Sequence, residues 1–253
     1  MTFNIDAKQR WGFFVAIAIL LGSCSSAEPP TEISSVEADT PVAVAPDTSA
    51  LTAGLPRLNG KATVEIMTAD KTITVELDGD KAPYTAGNFV DLAEKGVYDG
   101  TIFHRVIDGF VAQGGDPQST DPQLPISRLG SGNYIDEETG QARTIPLEIL
   151  PAGADEPVYG KTFKDVGVSE PPALTHDKGA IAMARSTENS ASAQFYITLE
   201  DSPFLNGDYA VFGYVTDGMD VVDNIVLGDV IQSVKVTSGS ENLVQPEMSA
   251  STE

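Results

Sequence analysis

Two neighbouring runs, Lys61 to Met67 and Lys71 to Leu77, alternate apolar and polar residues. Only an extended chain sends successive side chains to opposite faces, so both runs read as strands. Val64 and Ile66 in the first, with Ile73, Val75 and Leu77 in the second, form one apolar face. Thr68-Ala69-Asp70 suits a tight connection, which makes the pair a hairpin turned toward a core. Further strands are expected at 101–106, 109–113, 180–184, 194–199, 210–215 and 229–237. Pro83 fits the first turn of a helix, Phe89, Leu92 and Ala93 give it an apolar stripe, and Gly96 stops it. A second short helix fits 218–227, with Met219, Val222 and Val226 on one face. Many short strands with two brief helices point to a mostly β fold, a closed barrel capped by helices.

The single cysteine, Cys24, excludes an internal disulfide, so packing alone must stabilise the fold. A formal charge of −22 repels nucleic acid and anionic surfaces, whose binding needs clustered Lys and Arg. A solvated acidic coat is the simplest reading of that charge, with basic partners or cations as the alternative.

Lys8 and Arg10 precede the apolar run Trp11 to Leu21. Those residues rise about 16 Å as a helix, whereas a membrane span needs about 20 residues. A basic start before a short apolar segment is the layout of a secretory signal, here residues 1–23. Leu21-Gly22-Ser23-Cys24 resembles a bacterial lipobox, which makes Cys24 a lipidation site; an ordinary signal peptide with an incidental cysteine is the alternative. Residues 24–57 are rich in Ser, Ala, Thr, Pro and acids and read as a flexible linker. The tail at 241–253 is expected to be equally loose, leaving 58–240 as the folded domain.

Residues 117–178 interrupt the strand pattern and hold eight of the sixteen prolines, so they form a long loop insertion. Asp136-Glu137-Glu138-Thr139-Gly140 reads as a hairpin tip without the spacing of a calcium loop. With two histidines in the chain, no His-based metal site is expected, and no cofactor is called for. His104 is read as structural, on the strand face opposite Arg105, and His176 as a loop residue with no specific role. Ser186, His104 and Asp116 are triad residue types, but no nucleophile turn marks them. Gly114-Gly115 lacks the lysine of a phosphate-binding loop.

Chemistry concentrates in Tyr98 to Gly115, Y-D-G-T-I-F-H-R-V-I-D-G-F-V-A-Q-G-G. One cation, Arg105, stands among Phe103, Val106, Ile107, Phe110 and Val111, with Gln113 following. A guanidinium offers five donors in a rigid fork and stays charged, so it can address a ligand amide lying in an apolar groove.

The core Phe103 to Asp116 resembles the cyclophilins, the cyclosporin-binding class of peptidyl-prolyl isomerases. Lys81-Ala82-Pro83 through Asn88-Phe89, Gly179 to Ala184, Ser192 to Ile197, Phe204 to Gly207 and Ala210 to Gly213 match that family in order. The resemblance spans about 60–240, interrupted by the insertion, and implies an eight-stranded antiparallel barrel with two capping helices. It also implies cis/trans isomerisation of bonds preceding proline, in proline-containing peptides and unfolded proteins, by a monomer. Arg105 is then the catalytic residue. Phe110, Val111, Tyr196 and Leu205 hold the proline ring, and Gln113 and Gln194 bond the substrate backbone or orient Arg105. Ala184 and Arg185 line the groove, while Phe204 and Tyr209 close one side.

Four positions depart from well-known members: Phe204 stands where many carry Trp, Tyr209 for His, Val111 for Met and Tyr196 for Phe. The missing indole N–H removes a donor, so cyclosporin binding is expected to be weak. Arg143 to Glu148 resembles a segment of cyanobacterial and chloroplast-lumen cyclophilins. The expected location is therefore the cell envelope, on the extracytoplasmic side of a membrane, with a thylakoid lumen as one possibility. A proline-binding chaperone or scaffold with little turnover, and an acidic surface lipoprotein without a ligand, are the competing readings. Mass spectrometry of the mature protein is expected to find an acylated Cys24 at its N-terminus; an unmodified peptide beginning elsewhere removes the anchor.

Overall fold

The computed structural model describes residues 48–246. Cys24, the expected leader and most of the expected linker lie outside that range, as do residues 247–253. In chain order the helices are α1 (Ser49–Thr52), α2 (Pro83–Glu94), α3 (Phe163–Val166) and α4 (Met219–Val222). The first seven strands are β1 (Arg57–Leu58), β2 (Lys61–Thr68), β3 (Lys71–Asp78), β4 (Arg105–Ile107), β5 (Val111–Gly114), β6 (Glu148–Ile149) and β7 (Val158–Tyr159). Then follow β8 (Ala180–Met183), β9 (Phe195–Thr198), β10 (Val211–Asp217), β11 (Ile231–Ser238) and β12 (Leu243–Val244).

The alternating runs form the expected hairpin. Thr68 pairs with Lys71, so the turn is only Ala69-Asp70, and both residues adopt positive φ, 49° and 57°. That is the geometry whose twist matches a hairpin. Gln232 holds the turn, accepting from the Asp70 N–H at 3.0 Å and donating to its carboxylate at 2.9 Å. Val64, Ile66, Ile73, Val75 and Leu77 are all fully buried. Eight strands make one antiparallel sheet in the order β11-β2-β3-β10-β8-β9-β5-β4.

The sheet is a half-barrel rather than the fully closed barrel expected. Edge strands β4 and β11 share no ladder. Closure is confined to a seam just before them. Gly100 and Ile231, Ile231 and Thr101, Phe103 and Asp229, and Gly228 and Phe103 exchange backbone hydrogen bonds of 2.8 Å there. Phe89 of α2 closes the core from above. It stacks on Tyr98 at 4.8 Å and meets Phe195 edge-on at 5.3 Å, the offset and T-shaped geometries that ring quadrupoles favour.

The first helix matches expectation and the second does not. Helix α4 ends at Val222, and Val226 is exposed. The Asp229 carboxylate accepts the Val226 N–H at 2.9 Å and turns the chain away from helical geometry. The domain is also longer at both ends than 58–240. Leu55 packs on the core, and β1 pairs with β12 inside the segment expected to be a loose tail. Gly87 explains why β1 lies directly on α2: a Cβ there would stand 2.7 Å from Arg57 Cα and Leu58 N.

The insertion is folded, not a free loop. The Asp136–Gly140 tip turns back on itself, with Asp136 N–H donating to Gln141 O at 2.8 Å. Leu147, Ile149 and Phe163 form a small core of their own with Ala210. One set of hydrogen bonds and one ion pair bind it to α2. The buried Glu148 carboxylate accepts from Tyr84 N at 3.2 Å, Thr85 N at 2.8 Å and Thr85 Oγ1 at 2.7 Å, capping the helix start, where orphan N–H groups and the dipole favour a negative charge. Arg143 Nη1 reaches buried Asp91 at 2.6 Å, and Asp91 also accepts from Gln245 at 2.9 Å and from Lys95.

Burial pushes the Asp91 carboxyl up, but the hydrogen bonds from Lys95 and Gln245 and the Arg143 guanidinium outweigh it and hold it below its ordinary value. A depressed folded pKa stabilises above the unfolded value of about 3.9 and loses that contribution as pH falls through the folded value. Arg143→Met is expected to cost about 3 kcal/mol in urea unfolding at neutral pH, the low end for breaking a buried pair because Lys95 and Gln245 remain. Its stability should also fall less steeply than the wild type's below about pH 4.

Candidate active site

The register across three strands builds the site. Arg105 on β4 pairs with Gln113 on β5, and Gln113 pairs with Tyr196 on β9. Directly paired residues share a sheet face, so cation, amide and phenol stand in one row. Val111, two residues before Gln113, lies on the same face. From the other side come Ala184, just after β8, and the turn Pro203–Leu205 with Tyr209.

A cavity of about 350 Å³ opens over this row, lined by Arg105, Phe110, Val111, Gln113, Ala184, Arg185, Tyr196, Leu205 and Tyr209. Two of the expected site residues stand elsewhere. Phe204 is 68% exposed and stacks on Phe110 at 5.6 Å, forming the outer rim. Gln194 faces a neighbouring cavity of about 250 Å³, which shares Gln113, Ala184 and Arg185 with the first. The insertion supplies Gly130, Ser131, Gly132, Asn133 and Thr144 to that second cavity and no residue to the lining of the first, so it does not roof the apolar pocket.

Amide hydrogen bonds hold the cation. Arg105 Nη1 donates to Gln113 Oε1 at 3.3 Å, Gln113 Nε2 donates to Gln194 Oε1 at 3.2 Å, and Gln194 Nε2 donates to Gly132 O at 2.9 Å. Gln113 Nε2 also lies 3.4 Å from His104 Nε2, so buried His104 reaches the same amide as Arg105 instead of facing away from it as expected; it lies just before β4, where strand alternation has not begun. Burial holds the His104 imidazole below its ordinary pKa, against the pull of Asp116. Among the described residues no carboxylate pairs with Arg105. Its guanidinium lies 5.9 Å from the Phe110 ring and keeps donors free for a ligand. Arg185 is committed differently: Nε and Nη2 both donate to Asp208 O, and the guanidinium lies 4.5 Å over Tyr209.

Three contributors carry little signal in the sequence. Gly132 acts through its backbone carbonyl. Asp116 is fully buried and fixes that loop, accepting from Gly130 N at 2.6 Å and Gly132 N at 3.2 Å. His176, expected to have no role, is buried against Tyr196 and Asn206.

An eight-stranded half-barrel with a cationic and amide row beside an apolar hollow defines the cyclophilin class of fold. Residues 63–242 match the family described as cyclophilin type peptidyl-prolyl cis-trans isomerase, and the chain belongs to that family. A Synechocystis protein named as a candidate thylakoid lumen peptidyl-prolyl cis-trans isomerase is 43% identical over 203 residues, 76% of this chain and 51% of that protein. The chloroplastic isomerase CYP38 of Arabidopsis thaliana is 38% identical, covering 76% of this chain and 46% of the relative. The chain thus spans about half the length of these two relatives. Peptidyl-prolyl cis-trans isomerase B of Bacillus subtilis is 37% identical over 65% of this chain and 90% of its own length. A crystal structure of a Cryptosporidium parvum cyclophilin superposes with a TM-score of 0.53 at 26% identity, over 70% of this chain and 98% of that one.

The Arg185–Tyr209 contact predicts a binding effect. A cation-π contact at a partly desolvated site contributes about 1 kcal/mol to holding Tyr209 at the pocket wall; without it the ring must be ordered on binding, at a cost of up to that amount, about fivefold in affinity. Arg185→Ala is therefore expected to weaken binding of a short X-Pro peptide about fivefold in an NMR titration; unchanged affinity would free Tyr209 from its dependence on Arg185.

Proposed function

We propose that this chain is a peptidyl-prolyl cis-trans isomerase acting on proline-containing segments of extracytoplasmic proteins. The observation that supports this best is a guanidinium that, among the described residues, has no carboxylate partner and is held by an amide at the edge of an apolar hollow. Rotation about an X-Pro bond faces a barrier of about 18–20 kcal/mol from C–N double-bond character. At the twisted geometry that resonance is lost, and the prolyl nitrogen becomes pyramidal and gains a lone pair. Phe110, Val111, Tyr196 and Leu205 hold the ring, and Arg105 donates to the nitrogen only when the lone pair exists. That is differential binding of the transition state by a donor fixed in advance. No nucleophile, metal or cofactor enters the step.

Gln113 orients the cation in this reading. It accepts from Arg105 and so limits the guanidinium's rotation, while Gln194 and Gly132 anchor Gln113 in turn. The extracytoplasmic setting draws on the leader-like residues 1–23, the lipobox-like Cys24 and the lumen and chloroplast names of the relatives. Cys24 then anchors the chain, and no helix among the described residues is long and apolar enough to cross a membrane.

Arg105→Ala is expected to lower kcat/KM for an X-Pro peptide by about 100-fold or more, the range for removing one preorganised donor, with the circular dichroism spectrum unchanged. Full activity in that variant would take Arg105 out of the mechanism. Cyclosporin is expected to inhibit weakly, because Phe204 on the rim has no N–H to donate; inhibition at nanomolar concentration would contradict this.

A further inference from the structure

Behind the prolyl pocket lies a buried imidazole that the proposed reaction does not use. His176, at the end of the insertion, is 1% exposed. Its Nδ1 lies 2.9 Å from Asn206 Oδ1, and its Nε2 lies 3.0 Å from the Tyr196 hydroxyl. The two rings stack at 6.1 Å and 16°. Its backbone carbonyl accepts from Ser202 N at 2.7 Å, where the Pro203–Leu205 turn begins.

The donor inventory decides the tautomer. Asn206 Oδ1 also accepts the His176 backbone N–H at 2.9 Å, which fixes that atom as the amide oxygen. An amide oxygen only accepts, so Nδ1 carries the proton. In the neutral ring Nε2 is then a lone pair, and the Tyr196 hydroxyl must donate to it. One imidazole therefore ties the pocket floor, Tyr196, to the residues on both sides of Leu205.

We propose that His176 is a positioning residue of the prolyl pocket, a neutral imidazole that locks Tyr196 to the Pro203–Leu205 turn, and that its protonation loosens the pocket. The inference rests on the isomerase reading for the word prolyl, but the lock itself rests only on geometry. Protonated Nε2 becomes a donor, so the Tyr196 hydroxyl must switch from donating to accepting, and its own proton loses the partner it has in the neutral lock. The charged and titratable groups around the ring are Asp177 on its own segment, Tyr196 on β9, and Tyr209 and Arg185 beyond Tyr196. Burial lowers the imidazole's pKa and outweighs Asn206 and Asp177, which raise it. The lock is thus complete above the ordinary imidazole value of about 6.5 and is lost as pH falls through the lower folded value.

The test uses the full chain and two readouts. Imidazole 15N NMR is expected to show His176 as the Nδ1–H tautomer, titrating below the ordinary range, with its midpoint raised in Tyr196→Phe because the neutral form loses its donor. Affinity for a short X-Pro peptide, followed by NMR titration, is expected to fall about tenfold as His176 protonates. It should stay flat with pH in His176→Gln, which still offers one donor and one acceptor. An Nε2–H tautomer, a midpoint indifferent to Tyr196→Phe, or a wild-type pH slope in His176→Gln would overturn the proposal. If affinity follows this pattern while no turnover is measurable, the His176 lock is upheld and the isomerase reading fails.

Discussion

The antiparallel register of β4, β5 and β9 is the constraint from which the site follows. Arg105, Gln113 and Tyr196 share a row because each pairs directly with the next. A slip of one residue would reverse every side chain to the other face and send the guanidinium away from the hollow. The sheet holds that register where the pressure is greatest. Ala112, between Val111 and Gln113, is fully buried on the opposite face, so the row cannot slip without burying a polar amide in the core. Core packing and site geometry are thus two faces of one pairing.

The insertion is tied to this frame more firmly than its composition suggests. Glu148 occupies the start of α2, and Arg143 reaches Asp91 on that helix's C-terminal half. Two contacts well separated along one helix fix position and direction together. The chain on either side of these two ties then delivers Gly132 to Gln194 on one side of the site and His176 to Tyr196 on the other. Its contribution is therefore made from behind the reacting groups rather than over them, since the apolar cavity takes no lining residue from 117–178.

What was legible in the sequence was periodic or contained in a dense motif. The β2–β3 hairpin follows from strict alternation, and the nine residues that line the cavity all stand in the stretches around Arg105, Ala184, Tyr196 and Leu205 that carry the family resemblance. What escaped depends on contacts between distant segments. Leu58 and Leu243 carry no pattern of their own, yet they pair because two segments far apart in sequence meet beside α2. The second helix read too long because Val226 continues an apolar spacing that a single carboxylate, Asp229, interrupts. His176 looked idle because a lone histidine in a proline-rich loop has no sequence signal; its partners lie 20 and 30 positions away.

Tyr196 joins these threads. A phenylalanine floor would need nothing beyond apolar neighbours, whereas a phenol brings a hydroxyl into a space where only 5% of the residue is exposed. Such a group must find a partner or destabilise the pocket it lines. The partner is an imidazole on the last turn of the insertion, held in one tautomer by an asparagine from the turn that closes the pocket. The added hydroxyl thus converts a passive apolar surface into a junction of three segments: strand β9, the end of the insertion and the 202–206 turn. Because that junction contains the one kind of side chain that ordinarily titrates near neutrality, the shape of the hollow becomes coupled to proton concentration without any change in the residues that touch the substrate.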